Sequence, residues 1–562
     1  MVALPTGTAD IILHGGKILT VDGDDSIQQA VAVRGNRLLA VGSDAEILPL
    51  AGPATRSLDL RGHTAIPGIV DIHAHLDREG LKSIYPSLEG LRSIIEIRGR
   101  IKELLVDKEP GEWVVTMPIG NPPNYADMPQ SLAEGRFPNR HDLDQVAPDN
   151  PVYIKGIWTP WNVPPSVSVA NTAALRLAGI DRNTESPDSS VTIEKDSDGE
   201  PTGVFIDTGR YPSVEFSLMR VVPRFTMDQR LDSLKESMRL YNSVGTTGTY
   251  EGHGVAPEVL QVYKAAWDAG NMTVRANLTV SPHWQSVEQA AQEMESWGHS
   301  FSGTGFGDQY LRVSGYFIQY GGNRYTAEAR SSLLPYTGWA GFIQSYHSPD
   351  FFAETVRLAA ENNLRVNTLV REPLEEVLDV FEAVDRNIPL KGRRWTLAHV
   401  LQTTERQLHR IRDMGLLVET IPLTELWLRG TPYLDNPDLA DTAAAHRRYL
   451  EQGVDFSFGT DNKPYNPFAT LWAAVARRER VTDQVLGPGQ RLTRLEALRA
   501  FTIGGARFSF DEGRRGSLEP GKLADLAVLS GDLLDMPEEE IPRLESRLTM
   551  LGGRIVYQSE DF

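Results

Sequence analysis

Two hydrophobic patterns divide this sequence, and the first marks its ends. Near the beginning, short apolar runs between turn signals such as Gly15-Gly16 predict strands at 10–13, 17–21, 30–33 and 37–41. The pattern returns at 525–529 and 554–557, with Gly552-Gly553 placed as a tight turn. We therefore expect the two ends to pair into one β-sandwich, formed by residues 1–64 and 510–562.

The second pattern fills the middle of the chain. Apolar strand-like runs alternate with amphipathic helical patterns, which are clearest at 229–243, 350–361, 405–414 and 492–501. Such alternation predicts an α/β fold, a TIM-like (β/α)8 barrel over 65–509, with active-site residues at the carboxyl ends of its strands. A stretch at about 107–210 is rich in Pro, Asn, Asp and Trp and has weak periodicity, so it is interpreted as an insertion over the barrel mouth.

Composition narrows the possible partners and compartments. The chain has 562 residues, of which 75 are acidic and 56 basic, giving a formal net charge of -19. This charge opposes contact with phosphate backbones, so we expect a small-molecule substrate and no nucleic acid. No signal-peptide pattern or run of about 18 apolar residues is evident, which predicts a cytoplasmic protein that contacts no membrane. Whether it forms a homo-oligomer is left open.

The strongest chemical signal is PGIVDIHAHLD, in which an apolar run leads into His73 and His75. Residues at i and i+2 of a strand point to the same side, so both imidazoles are expected to face one cavity. Two such imidazoles suit a divalent metal ion, and without cysteine any ligands must be His, Asp, Glu or a modified Lys. An HxH pair on its own is more often two packed or surface histidines.

A second signal is GVDFSFGTDNKP, where another apolar run ends at Asp461. A carboxylate there can bind a metal ion and accept a proton from water. An aspartate after a strand is also a common turn residue or helix N-cap. The functional interpretation therefore depends on the combination of the two signals.

The chain resembles the amidohydrolase superfamily in ADIILHGGKILTVD, IPGIVDIHAHLD, WTLAHV, FGTDNKP and GSLEPGKLADLAVL, in order and along essentially its whole length. It is similar to the branch that includes N-substituted formamide deformylases in NTAALRLAGI, GVFID and TDNKPYNPFATLWAAVARR. The resemblance implies a barrel with a sandwich built from both termini, a metal site and hydrolysis of an amide-like bond. It places the branch's metal-site pattern on His73, His75, His399 and Asp461.

Two positions depart from that pattern. The branch usually has a histidine in a strand reading like VAIHAIGD, whereas this chain reads VNTLVR at 366–371. A lysine expected in a strand like GVKLFADG is also unmatched, because SGYFIQYGGN puts Phe317 near its position. We therefore predict one divalent ion, zinc, rather than a lysine-bridged pair of ions.

The segment GTTGTYEGHG offers substitutes for the missing ligands. Glu251 and His253 end a predicted strand and again lie at i and i+2, so one or both could join His73, His75 and Asp461. They could also be ordinary loop residues between glycines.

Three further residues are candidates for contact with substrate. Trp158 and Trp161 would give a pocket an aromatic lining, although packing is the commoner role of such residues. Arg371 lies where the missing strand histidine would project, and a plain salt bridge is its alternative role.

These features predict a hydrolase of carbon–nitrogen bonds other than peptide bonds. His73 and His75 would hold an ion that acidifies water, Asp461 would take the proton, and His399 would stabilise the oxyanion. The bond would be amide-like, in an N-substituted amide or formamide of a small organic molecule. One alternative is deamination, ester or lactone hydrolysis, or a lyase reaction at the same site, and another is a catalytically silent scaffold.

Overall fold

The computed structural model describes residues 7–122, 125, 127–156, 165–209, 213–322, 324, 327–328 and 345–562. These residues fall into two compact units. The first lies within Met1–Glu79, Leu234–Gly322 and Gly341–Phe562. The second lies within Gly80–Ser233 and Asn323–Ala340.

The first unit contains a nearly closed barrel of eight parallel strands, which confirms the predicted TIM-like fold class. The strands are β1 (Ile69–Ala74), β2 (Thr246–Glu251), β3 (Arg275–Val280), β4 (Leu311–Phe317), β5 (Val366–Leu369), β6 (Thr396–Ala398), β7 (Leu417–Thr420) and β8 (Phe456–Phe458). Each strand pairs with the next one in chain order. Asp461, just beyond the end of β8, donates its N–H to the carbonyl of His73 in β1 at 2.8 Å.

Amphipathic helices separate the barrel strands and pack their apolar faces on them. The helix Glu405–Met414 shows why the sequence pattern succeeds, because its buried residues Leu408, Ile411 and Met414 recur every three positions and Thr404 caps its first turn. The principal helices of this part of the chain are Met227–Ser243, Pro257–Asp268, Val287–Glu295, Pro349–Glu361, Leu374–Asp385, Glu405–Met414, His446–Gln452, Pro467–Ala476, Arg494–Arg499 and Gly505–Phe508. Two short π-helices, Leu423–Leu428 and Ala500–Gly504, adjoin β7 and the last helices.

The first unit contains two further sheets, and the second of them combines strands from both ends of the sequence. One has the order Arg37–Gly42, Ala30–Arg34, Ala9–His14, Ala51–Asp59. The other has the order Arg554–Gln558, Ser546–Leu551, Leu526–Leu529, Thr64–Pro67, Lys17–Leu19, Ile27–Gln28. Leu13 and Val31 of the first sheet share one buried core with Ile18, Leu526 and Leu548 of the second, which is the expected β-sandwich.

The amino-terminal ends of the barrel strands are closed by the chain around 507–511. Arg365, just before β5, donates to the Phe508 carbonyl, and Arg312 of β4 donates to the Ser509 carbonyl. Both carbonyls belong to the end of the helix Gly505–Phe508, where backbone acceptors lack partners within the helix. Arginine side chains from the barrel therefore satisfy them.

The second unit contains a sheet that the weak periodicity at 107–210 did not predict. Its strand order is Val191–Lys195, Pro201–Asp207, Ser166–Ala170, Val152–Ile154, Val114–Thr116. Its helices are Ile94–Leu104, Arg140–Asp144, Thr172–Ala178 and Ser213–Phe216. Two of the strands have only three residues, which is too short for an alternating pattern to stand out. The insertion and domain bounds stay predictions.

Within the described ranges, no helix combines the length and apolar character needed to cross a membrane.

Candidate metal centre

The predicted ligands come together at the carboxyl end of the barrel. His73 is the fifth residue of β1 and His75 follows that strand directly. His399 comes directly after β6, Asp461 comes three residues after β8, and His253 comes two residues after β2. All five side chains thus occupy the end of a (β/α)8 barrel at which active sites form.

The imidazole of His73 is the hub of this cluster. Its ring centroid lies 4.5 Å from that of His399, 4.6 Å from that of His253 and 5.0 Å from that of His75. Asp461 Oδ1 lies 3.1 Å from His75 Nε2 and 3.9 Å from His73 Nε2. On the other side, Asp461 Oδ2 lies 3.8 Å from His399 Nε2.

These distances fit a shared divalent ion. Two ligands bound at about 2.0–2.1 Å to a tetrahedral ion lie roughly 3.3 Å apart. Two triads, His73–His75–His253 and His73–His399–Asp461, have ligand atoms within 4.8 Å of one another. Among the described residues, the buried atoms His73 Nε2 and His399 Nδ1 have no hydrogen-bond partner, and a buried polar atom in that state needs a ligand or another explanation.

The backbone at two of these positions is strained. His399 has φ 57°, Asp461 has φ 52° and the adjacent Asn462 has φ 56°. Non-glycine residues in this left-handed region cost of order 1–3 kcal/mol each and cluster at functional sites. The strain turns both side chains from their strands towards the cluster.

Two glycines make room for the His73 side chain. A Cβ added at Gly252 would lie 2.2 Å from His73 Nδ1, and one added at Gly459 would lie 2.1 Å from His73 Cβ. Neither distance is compatible with van der Waals packing. The glycines of the EGHG and FGTD segments therefore have a steric role at this site.

Burial keeps the histidines neutral and neighbouring charge keeps the aspartate ionised. Burial lowers the pKa of His73 and holds the pKa values of His253 and His399 well below the usual range. Burial alone would raise the pKa of Asp461, but the neighbouring charge of Lys463 holds it well below its usual range. Neutral imidazoles and an ionised carboxylate are the forms that bind metal ions.

A match to a family model shows the family of the chain. The model described as the amidohydrolase family matches residues 56–557. The chain belongs to the amidohydrolase family. It is therefore an enzyme, a hydrolase of the class that acts on carbon–nitrogen bonds other than peptide bonds, and the family is metal-dependent.

Individual relatives resemble this amidohydrolase over nearly its whole length. An N-substituted formamide deformylase from Arthrobacter pascens is 27% identical over 98% of this chain and 99% of its own. A metal-dependent hydrolase from Pyrococcus furiosus has the same fold, with a TM-score of 0.66 and 21% identity, covering 93% of this chain and all of that one. An adenosine deaminase from Xanthomonas campestris, solved with bound zinc, has a TM-score of 0.52 and 15% identity, covering 99% and 94%.

Sequence reasoning missed three residues of the amidohydrolase site. Glu419 of β7 is fully buried, and its Oε1 lies 2.6 Å from His73 Nδ1. Lys463 contacts Asp461 Oδ2, and Asn462 accepts the His75 N–H at 3.0 Å. The signal for Glu419 was a charge inside the apolar run GLLVETIPL, while Lys463 and Asn462 lie in the FGTDNKP motif itself.

The strand that lacks the branch's histidine has another role here. Asn367 of β5 donates from Nδ2 to the Gly252 carbonyl at 2.7 Å, which ties β5 to the segment that carries His253. The charge of Arg371 contributes, after burial, to the lowered pKa of His399. The candidates Trp158 and Trp161 lie outside the described residues.

Proposed function

We propose that this amidohydrolase is a zinc enzyme that cleaves an amide-like carbon–nitrogen bond in a small organic molecule. N-substituted amides and formamides are the proposed substrates, in line with the deformylase that aligns over 98% of the chain. The observation that carries the proposal is the convergence of four imidazoles and one carboxylate at the barrel's carboxyl end.

His73, His75 and Asp461 would hold the ion, with His253 completing the set and His399 beside them. A donor set of imidazole nitrogens and one carboxylate oxygen suits zinc. We propose a single ion because the two triads share His73. When bound, such an ion supplies positive charge that makes a nearby water molecule acidic enough to lose a proton near neutral pH.

Asp461 would move the proton. The charge of Lys463 helps to keep the carboxylate ionised, so it can take a proton from water at one oxygen. It would then deliver that proton to the leaving nitrogen when the carbon–nitrogen bond breaks. His399, whose Nε2 lies 3.8 Å from Asp461 Oδ2, would stabilise the negative charge that develops on the carbonyl oxygen. Arg371 would contact substrate beside it.

The strained backbone supports an enzyme rather than a silent scaffold. Left-handed conformations at His399 and Asp461 cost stability, and without a function nothing would favour retaining them. Deamination, ester or lactone hydrolysis and lyase chemistry remain alternatives that products distinguish. Formate plus an amine identifies a formamide substrate, whereas ammonia identifies deamination.

The test is Asp461→Asn in protein loaded with zinc, assayed against N-alkyl formamides, matched acetamides and matched esters. Loss of the proton carrier should lower turnover by roughly 100- to 10,000-fold, with circular dichroism unchanged and much of the zinc retained. The matched control is Asp455→Asn, because Asp455 is an exposed aspartate paired with Arg507. Asp461→Asn protein with wild-type turnover, or a wild type without bound metal, would refute the proposal.

A further inference from the structure

Two buried glutamates lie beside the two histidines of the HxH pair. The contact of Glu251 with His75 has hydrogen-bond geometry, whereas His73 Nδ1 lies close to Glu419 without a hydrogen-bond partner among the described residues. Glu251 Oε1 lies 2.5 Å from His75 Nδ1, and Glu419 Oε1 lies 2.6 Å from His73 Nδ1. The side chains of both pairs are almost fully excluded from solvent. In each pair, therefore, a carboxylate oxygen lies beside Nδ1 of the histidine.

The other ring nitrogens point to a common centre. His75 Nε2 and His73 Nε2 lie 3.1 Å and 3.9 Å from one oxygen, Asp461 Oδ1. A neutral imidazole has one N–H donor and one acceptor nitrogen, and a carboxylate on Nδ1 holds the proton there. Nε2 is then the nitrogen with the lone pair that a metal ion needs.

The two glutamates reach this centre from different parts of the barrel. Glu251 is the last residue of β2, which pairs directly with β1. Glu419 belongs to β7, which pairs with β8. Glu419 Oε1 also accepts the backbone N–H of His399 at 3.3 Å, so one carboxylate oxygen contacts two candidate ligands at once.

We propose that Glu419 and Glu251 are positioning residues that fix His73 and His75 as Nδ1–H tautomers and aim both Nε2 atoms at one ion. This inference rests on the proposed metal-dependent function. Glu251 then supports His75 and does not itself bind the ion, and Glu419 supports His73.

The first measurement is the zinc dissociation constant of metal-free protein, obtained by competition with a chelating dye. Loss of a carboxylate that orients a metal-binding histidine weakens metal affinity by roughly 10- to 100-fold, which is the effect expected for Glu419→Ala and Glu251→Ala. Glu419→Gln and Glu251→Gln should lose less, because an amide oxygen still accepts the Nδ1–H. Thermal unfolding of the metal-free variants separates altered affinity from altered folding.

The matched control is Glu425→Gln. Glu425 is an equally buried glutamate in the π-helix after β7, and its Oε1 accepts the Ile421 N–H at 3.0 Å. This hydrogen bond involves neither histidine, so zinc affinity should stay within about threefold of wild type. Affinity that falls equally in Glu425→Gln and Glu419→Gln would show a general effect of burial and would overturn the proposal.

The second measurement does not need the metal. In metal-free protein labelled with ¹⁵N-histidine, His73 should show the Nδ1–H tautomer, assigned with a His73→Gln variant. His73 is the histidine to follow, because its Nε2 has no hydrogen-bond partner among the described residues, whereas His75 Nε2 lies 3.1 Å from Asp461 Oδ1. The Glu→Gln variants keep this test valid where an alanine variant does not fold. An Nε2–H tautomer at His73, or zinc affinity unchanged in Glu419→Ala, would overturn the inference. A wild type that shows the Nδ1–H tautomer of His73 but binds no zinc would instead refute the proposed function alone.

Discussion

Arg365 and His73 are buried polar side chains at opposite ends of the barrel, and their hydrogen bonding differs. At the amino-terminal end, Arg365 has an acceptor for every nitrogen, donating to the Arg394 carbonyl, the Thr396 hydroxyl and the Phe508 carbonyl. At the carboxyl end, His73 is just as buried, yet its Nε2 has no hydrogen-bond partner among the described residues. The comparison shows that the chain itself satisfies Arg365, whereas His73 is left with a nitrogen that a ligand can complete.

The largest effect on stability is expected at the amino-terminal end. Arg365→Met removes a guanidinium and leaves three buried acceptors without it, so the free energy of unfolding should fall by about 3–5 kcal/mol. Turnover per folded, zinc-loaded molecule should stay near wild type, because these three hydrogen bonds involve no candidate ligand. Urea unfolding and steady-state kinetics measure the two quantities. If Arg365→Met kept full stability but bound zinc weakly, the result would contradict the structural role assigned to Arg365.

A smaller effect, on both stability and metal affinity, is expected for Gly252→Ala. The new Cβ would approach within 2.2 Å of His73 Nδ1, so His73 must shift, with an expected cost of about 1–3 kcal/mol. Because His73 belongs to both candidate triads, zinc affinity should fall as well.

Gly489→Ala is the control for this substitution, because nothing lies within 4 Å of a Cβ at that position. Its unfolding free energy and zinc affinity should match those of the wild type. Equal behaviour of the two alanine variants would mean that His73 tolerates displacement, and the metal site would then be less constrained than the distances indicate.

The smallest effect concerns a buried histidine outside the candidate metal centre. His347 donates its Nδ1–H to the Gln319 carbonyl at 3.0 Å, and burial lowers its pKa to about 4. The unfolded chain takes up this proton near pH 6.5, so the stabilising contribution is complete above that pH and is lost as the pH falls towards 4. The expected loss is about 2 kcal/mol at pH 5. Unfolding titrations of wild type and His347→Gln should therefore differ in their pH dependence, and parallel curves would refute the assignment.

Most of the fold could be predicted because its elements carry strong periodic signals. The helix Glu405–Met414 matches its predicted bounds, since apolar spacing, a capping threonine and a terminal glycine all agree. The five-stranded sheet of the second unit could not be predicted, because strands such as Val114–Thr116 are too short to show alternation.

The residues of the candidate site also differ in how well the sequence predicts them. His73, His75 and Asp461 could be found because short motifs place them at the ends of apolar runs. The contact between Glu419 and His73 joins residues far apart in sequence, and the acceptor on Nδ1 is fixed only by barrel packing. No short sequence motif predicts that contact. For the same reason, sequence could suggest Glu251 as a ligand but not show which nitrogen of His75 it contacts.

The sheet shared by the two ends of the chain has a consequence for biosynthesis. Leu526–Leu529 pairs with Thr64–Pro67, and Arg37 donates to the Gly521 carbonyl across 484 positions. During synthesis, Thr64–Pro67 and the barrel strand that follows it emerge early. Leu526–Leu529, the partner of Thr64–Pro67, emerges only after almost all of the remaining chain has been translated. Contacts of such sequence separation slow folding, and the waiting strand edge is open to mispairing. The chain is therefore expected to depend more on chaperones during synthesis than a barrel with locally completed sheets.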